Sequence, residues 1–449
     1  MNYIIFEDQK IYIDSINNYV PFTITNNSIV HAKVCDFIAK KYFNYESKSL
    51  DHKLTVNFLY SKSLIAKNIT SVILLSKKKK ISLINSNYLT EEFEKFFDYK
   101  ISFSIKKNRT KNFIKKSQLI ISVAKYFVHS IFRLLKRRNL IPKTNMVRSF
   151  ADYSYRIYGE RYKTDTIYIY PFTGSFFRGY KYLRKFKQLD NVSTMGLPYR
   201  LTNLLRLINF KNYDKKIIDY ERQAYIDHAK ELSLFQTVFT SDEFEPASYV
   251  LYEKLKAKTK IINHCHGIGN FNPFLNYNKI ILLNNKQEKY YSLFNKKMEM
   301  SVLKEKIVPK KFSEKNRNAL VIIDQGNLRN YGLNYEDSLQ RKLYKKLHLI
   351  SKEDGISCFI KFHPNRSKKG INKICNNYNF EEKKKISDLG EFNLIFINLF
   401  STAYYDFAKN GKFIFIEDDL FNPKELFGDK IVTSTITNLK KNIEISLKC

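Results

Sequence analysis

Between Ala319 and Ile416 short apolar runs alternate with helical stretches, and this alternation limits the possible folds more than any other feature of the chain. Ala319–Asp324, Cys358–Phe362, Leu394–Ile397 and Lys412–Ile416 read as strands buried on both faces. Between them lie a helix over about 337–350, with Leu339, Leu343, Leu347 and Ile350 at helical spacing, and a second helix opening at Ser401. Strands separated by helices need crossover connections, which means parallel sheets covered by helices.

The earlier part of the chain has a looser version of the same texture. Tyr3–Phe6, Leu54–Leu59 and Ser71–Leu75 are short apolar runs rich in β-branched residues, with candidate helices between them. A strand is expected at Thr166–Tyr170 and another at Thr237–Thr240, the latter ending in Asp242, Glu243 and Glu245. A helix over Ala247–Lys256 and a strand over Lys260–Asn263 follow, and the chain then enters His264-Cys265-His266-Gly267-Ile268-Gly269. The lysine-rich stretch 304–317 reads as a linker. The expected organisation is therefore two α/β halves, residues 1–300 and 315–449.

A chain of 449 residues that is 44% hydrophobic is long enough for two cores. Its 78 lysines and arginines against 43 acids leave a net charge of +35, which favours a polyanionic partner without selecting one. No helix-turn-helix, zinc-finger or RNP-type pattern is visible, so nucleic acid is not the expected partner. Five cysteines without CxxC pairing read as reduced thiols. The N-terminus MNYIIFEDQKIYID carries no basic leader ahead of an apolar run, and no window holds about 18 consecutive apolar residues. A cytoplasmic protein is expected. Residues 117–138 put Ile120, Ala124, Phe127, Val128, Ile131 and Leu135 on one helical face and end in Lys136-Arg137-Arg138. Such a helix suits either its own core or the anionic inner face of a membrane.

Four polar clusters stand where strands give way to loops, the place where α/β sheets bind ligands. They are Asp242/Glu243/Glu245; His266 with Gly267 and Gly269; Lys361, His363 and Pro364; and Ser401 with Thr402. Carboxylates or an imidazole can take a proton from an attacking hydroxyl. Ser and Thr hydroxyls at a helix start, with a histidine, can donate to a departing phosphate. Glycines let backbone approach a ligand closely. Glu417, after the last apolar strand, could accept from a ribose hydroxyl. Each cluster also has a structural use: acids before a helix satisfy its dipole, and Ser-Thr caps a helix. His264, Cys265 and His266 gather no further ligands, so no metal site is expected.

The order Asp242-Glu243-Phe244-Glu245-Pro246, His266-Gly267-x-Gly269, Lys361-x-His363-Pro364, Ser401-Thr402 resembles the GT-B glycosyltransferases of capsule, lipopolysaccharide and teichoic-acid assembly. That group includes bacterial sialyltransferases, Kdo transferases and polyglycerolphosphate polymerases. The resemblance spans residues 235–420 or so, and Phe244 stands where sialyltransferases carry glycine. It implies two Rossmann-like domains with a cleft between them and inverting transfer without a bound metal. It further implies a base from the N-terminal side (Asp242, Glu243, Glu245 or His266). It implies a donor held in the C-terminal domain by His363 and Ser401/Thr402; with the residues read from their own chemistry, the expected donor-binding set is Gly267, Gly269, Lys361, His363, Pro364, Ser401, Thr402 and Glu417. The implied donor is a nucleotide-sugar, first of all CMP-linked, and the acceptor a glycan or lipid-linked glycan. A CDP-polyol phosphotransferase on the same scaffold is the alternative, and a basic nucleic-acid binder the third.

Overall fold

The computed structural model describes residues 3–6, 9–47, 49–79, 81–85, 213–303, 317–364 and 366–448. Between 86 and 212 it describes the segments 103–104, 120–124, 126–127, 130, 145–148, 166–171 and 192–195.

Three sheets organise the chain. A small one joins β1 (Tyr3–Phe6), β2 (Gln9–Tyr12), β3 (Ile81–Asn85) and β4 (Phe103–Ser104) in the order β2-β1-β3-β4, with β1 antiparallel to both neighbours. The second holds β5 (Asn145–Arg148), β6 (Thr166–Pro171), β7 (Val192–Met195), β8 (Thr237–Thr240), β9 (Lys260–His264), β10 (Lys279–Leu282) and β11 (Glu299–Val302). Its order is β11-β10-β9-β8-β5-β6-β7, parallel throughout. The third holds β12 (Arg317–Ile323), β13 (Ser357–Lys361), β14 (Glu381–Glu382), β15 (Phe392–Asn398), β16 (Gly411–Glu417) and β17 (Thr433–Thr435). It is also all parallel, in the order β14-β13-β12-β15-β16-β17.

Numbered within its own sheet, the third runs 3-2-1-4-5-6, the Rossmann order, and the second runs the same way with a seventh strand added beyond the sixth. The expected α/β fold of two Rossmann-like halves is what forms. The order reverses between β12 and β15 in one half and between β5 and β8 in the other. Crevices for ligands open at such reversals, beyond the carboxyl ends of the strands.

The strands of the third sheet are buried as their composition demands. Ala319 to Ile323, Leu394 to Ile397 and Phe413 to Ile416 all lie in one apolar core with Leu339, Leu343, Leu347 and Ile350 of helix Asn334–Asp354. That helix stops at Gly355, whose φ of +64° continues the chain in the left-handed region.

Two expected strands are helices instead. Leu54–Leu59 and Ser71–Leu75 fall in helices Leu50–Lys62 and Leu64–Lys78. Ser49 and Ser63 cap them, accepting from the backbone N–H of His52 and Ala66 at 3.1 Å each. Both helices are buried on nearly all sides, so their apolar runs lack the one-sided stripe that betrays a helix. Among the described residues no single helix is long and apolar enough to cross a membrane.

The helix expected at 117–138 is helical at its described residues, 120–124, 126–127 and 130, but the side that packs inward is not the expected one. Tyr126 and Ser130 point inward; Ile120, Ala124 and Phe127 point to solvent. Val128, Ile131, Leu135 and the basic end lie outside the described residues.

The two halves meet through the N-terminal segment. Asn17 donates to the Gly332 carbonyl at 2.9 Å, and Glu336 accepts from Thr23 N at 2.6 Å. Ile24 packs into the third sheet's core, and Asn284 donates to Leu426 O at 2.9 Å.

Candidate functional site

The C-terminal wall is built at the ends of β13, β12 and β15. Asp324 follows β12 and is almost fully buried. Its carboxylate accepts from Gly326 N (3.0 Å), His363 N (3.2 Å), Arg366 Nε (3.2 Å) and the Tyr344 hydroxyl, and pairs with the Arg366 Nη2. One acid thereby fixes two loops: the turn after β12, where Gly326 sits at φ +79°, and the His363-Pro364 loop after β13. His363 and Pro364 are exposed on that loop. Asp324 and Arg366 were not expected as site residues. A charged residue closing an apolar strand is the signal that marks Asp324.

On the other side of β12, Asn398 ends β15 fully buried. Its Oδ1 accepts from Ser401 N and from Gln325 Nε2, both at 2.9 Å. Ser401 Oγ accepts from Ala403 N at 3.2 Å, which leaves its proton available for donation. Thr402 precedes the helix without making a side-chain cap. That helix, Ala403–Phe407, is a single turn, so hydroxyls and backbone N–H groups, rather than a long helix dipole, are what this loop presents. His363 and Ser401 thus lie on the loops that follow β13 and β15, the two strands on either side of β12.

Two residues assigned to this wall lie elsewhere. The Lys361 amine donates to Lys384 O at 2.9 Å and stands 5.7 Å over the Phe407 ring, which occupies it away from the His363 loop. Glu417 lines a separate cavity of about 600 Å³ with Tyr335, Asp418, Asp419, Lys79 and Thr435; neither His363 nor Ser401 lines it.

The N-terminal wall corrects the reading of the acids. Asp242, Glu243 and Glu245 follow β8, but all three turn inward. Asp242 accepts from the hydroxyls of Tyr252 (2.7 Å) and Tyr277 (3.0 Å), and Glu245 from Tyr225 (2.8 Å). Glu243 is fully buried and accepts from His266 N at 2.5 Å and Asn263 Nδ2 at 3.2 Å. Burial pushes its carboxyl up to about 7, against the lowering effect of the His266 and Asn263 bonds. Glu243 holds the His266 loop through that backbone bond, while Asp242 and Glu245 are engaged by tyrosines, and all three carboxyls are buried.

The residue whose backbone Glu243 positions is His266. Its neighbour His264 is buried, with Nδ1 3.1 Å from Cys265 O, whereas His266 is exposed, its ring 5.4 Å from that of Phe244. His266 stands at the surface, yet the surrounding protein strips water from its ring and lowers its pKa below the ordinary value.

The two glycines differ. A Cβ on Gly267 would sit 3.9 Å from Thr402 Cγ2, so here the loop of the N-terminal half lies against the loop of the C-terminal half. Gly269 has φ +121°, and a Cβ there would come within 2.6 Å of Asn27 Oδ1. Its glycine serves the protein's own packing, not a ligand. Gln287 Nε2 completes the loop by donating to Gly267 O (2.9 Å) and Gly269 O (2.7 Å). Asn27 and Gln287 carry no sequence signal of these roles, whereas Asn398 is marked as the polar residue that closes an apolar strand ahead of Ser401. Among the described residues no three His, Cys, Asp or Glu side chains gather as a metal cluster.

No sequence-family profile and no curated protein matches the chain. Solved structures with a similar architecture include the following three. The N-terminal domain of Candida albicans trehalose-6-phosphate phosphatase is 10% identical, with a TM-score of 0.40 over 70% of this chain and 91% of that one. α,α-Trehalose 6-phosphate synthase from Burkholderia multivorans is 8% identical, with a TM-score of 0.40 over 68% and 89%. S. aureus TarM, solved with fondaparinux, α-GlcNAc-glycerol and UDP, is 9% identical, with a TM-score of 0.39 over 68% and 93%. With so few residues shared, the chemistry has to be read from this chain's own side chains.

Proposed function

We propose that the chain is a GT-B glycosyltransferase of bacterial surface-polysaccharide assembly. It would move a sugar, with inversion and without a bound metal, from a nucleotide-activated donor to a glycan or lipid-linked acceptor. The observation that carries this reading is the approach of Gly267 to Thr402. The loop that carries exposed His266 thereby lies against the loop that carries Ser401 and Thr402, which follows β15 at the reversal of a Rossmann-ordered sheet, and this supports the reading.

In that arrangement the acceptor hydroxyl loses its proton to His266 as its oxygen bonds to the sugar's anomeric carbon. The bond from that carbon to the donor phosphate breaks, and the electron pair leaves with the nucleotide. Ser401 and Thr402 hydroxyls, with His363 across β12, donate to the phosphate as its charge grows. A lowered pKa keeps His266 neutral near pH 7, the form a base needs. The CMP-linked donor follows from the motif resemblance. A polyol-phosphate transferase would use the same imidazole on a phosphorus centre.

A thermal-shift screen with CMP, CDP, UDP and GDP, followed by turnover of the matching sugar donors and of CDP-glycerol, tests the proposal. A CMP-specific rise in melting temperature with CMP-sugar consumption supports it. Turnover of CDP-glycerol alone replaces it with polyol-phosphate transfer, and binding of no nucleotide overturns it.

A further inference from the structure

Residues 120–124 and 126–127 turn an apolar helical face outward. Ile120 is 60% exposed, Ile121 68% and Phe127 50%. The opposite side is anchored, which fixes the direction of this face. Tyr126 is fully buried, its ring 4.9 Å from that of Tyr220, and its hydroxyl donates to Glu221 Oε1 at 2.7 Å. Three large apolar side chains held in water on one helix face are a cost that a partner removes.

The sequence around this face indicates which partner. No acidic residue falls between Asp98 and Asp152, while fourteen lysines and arginines do. This stretch alone carries 14 of the chain's net +35 charges. A second copy of the chain docked face to face would bring that charge against itself. A nucleic acid would neutralise the cations but leave the isoleucines and phenylalanine unused. A surface with an apolar interior beneath an anionic layer satisfies both at once. We propose that Ile120, Ile121 and Phe127 insert among the acyl chains at the surface of an anionic bilayer, with the flanking cations on its headgroups. This inference does not depend on the transfer chemistry.

Co-sedimentation of the full chain with vesicles tests it. One set is phosphatidylcholine alone, the other phosphatidylcholine containing phosphatidylglycerol. The chain is expected to bind the second and release at high salt. The triple variant Ile120→Ser/Ile121→Ser/Phe127→Ser should lose roughly tenfold or more in partitioning with an unchanged melting temperature. Neutralising Lys136, Arg137 and Arg138 to glutamine should cost roughly fivefold per charge. If the triple variant melts early, Ile121→Ser alone should still cost roughly threefold. Equal binding to both vesicle sets overturns the proposal, as does full binding by a folded serine variant. A dimer in solution that these serines dissociate also overturns it.

Discussion

Glu243 Oε1 accepts the backbone N–H of His266 at 2.5 Å, so a fully buried carboxyl sets the position of the exposed imidazole. The pair joins fold stability to the site through a single hydrogen bond.

That carboxyl makes stability depend on pH. Its ordinary value is 4.5 and burial raises it to about 7. Between those values the unfolded chain has released a proton that the folded chain keeps, so rising pH favours unfolding. The loss begins near pH 4.5 and is complete above pH 7, with a size of about 3 kcal/mol. Glu336, also buried, is pushed in the same direction. Buried His31, lowered to about 3, acts in the opposite direction up to about pH 6.5, so the readout is the difference between two proteins: from pH 5 to pH 8 the melting temperature of the unaltered chain should fall relative to that of Glu243→Gln, which cannot titrate. Parallel curves for the two proteins would refute the assignment.

His266→Ala should lower kcat by roughly 10²–10⁴ with stability changed by less than about 0.5 kcal/mol, since the side chain is exposed. The pH–rate profile gives an independent check. A neutral imidazole with a lowered pKa places the acid limb of kcat/KM below 6.5, and activity should be level through neutrality. A limb at or above 6.5 would show that another group is the base.

Gly269→Ala should destabilise the chain by about 2–4 kcal/mol, because φ +121° disfavours any Cβ and the new atom meets Asn27 Oδ1 at 2.6 Å. Asn27→Ala removes the collision but not the backbone strain. Urea denaturation of the two single variants and the double variant should show the double less destabilised than the sum. Strict additivity would mean that the contact is not the cause.

Strand positions in the C-terminal half were legible because strands buried on both faces appear as plain apolar runs ending in a polar residue, as at Asp324 and Asn398. The same simplicity misled at Leu54–Leu59, where burial on all sides erased the helical stripe; the capping serines Ser49 and Ser63 were the better signal. Ser401, Thr402, His363 and His266 could be placed at strand ends from pattern alone. The inward turn of Asp242, Glu243 and Glu245 could not, because their partners are tyrosines and backbone groups on other elements. Nor could the contact between Asn27 and Asn270, which are 243 residues apart.

The Asp324–Arg366 pair gives the last prediction. Asp324 is fully buried at its side chain and Arg366 only 12% exposed, so removing either leaves an uncompensated charge inside the protein. Arg366→Ala should destabilise by about 3–5 kcal/mol, and Asp324→Ala by a similar amount. The two should not add, since the second deletion removes the charge that the first stranded. Because Asp324 also accepts the His363 N–H and the Gly326 N–H, its loss should loosen both loops. The effect on nucleotide affinity should then exceed that of Arg366→Ala. Calorimetric titration of a nucleotide onto each variant measures this difference, and equal affinities would mean that Asp324 acts through Arg366 alone.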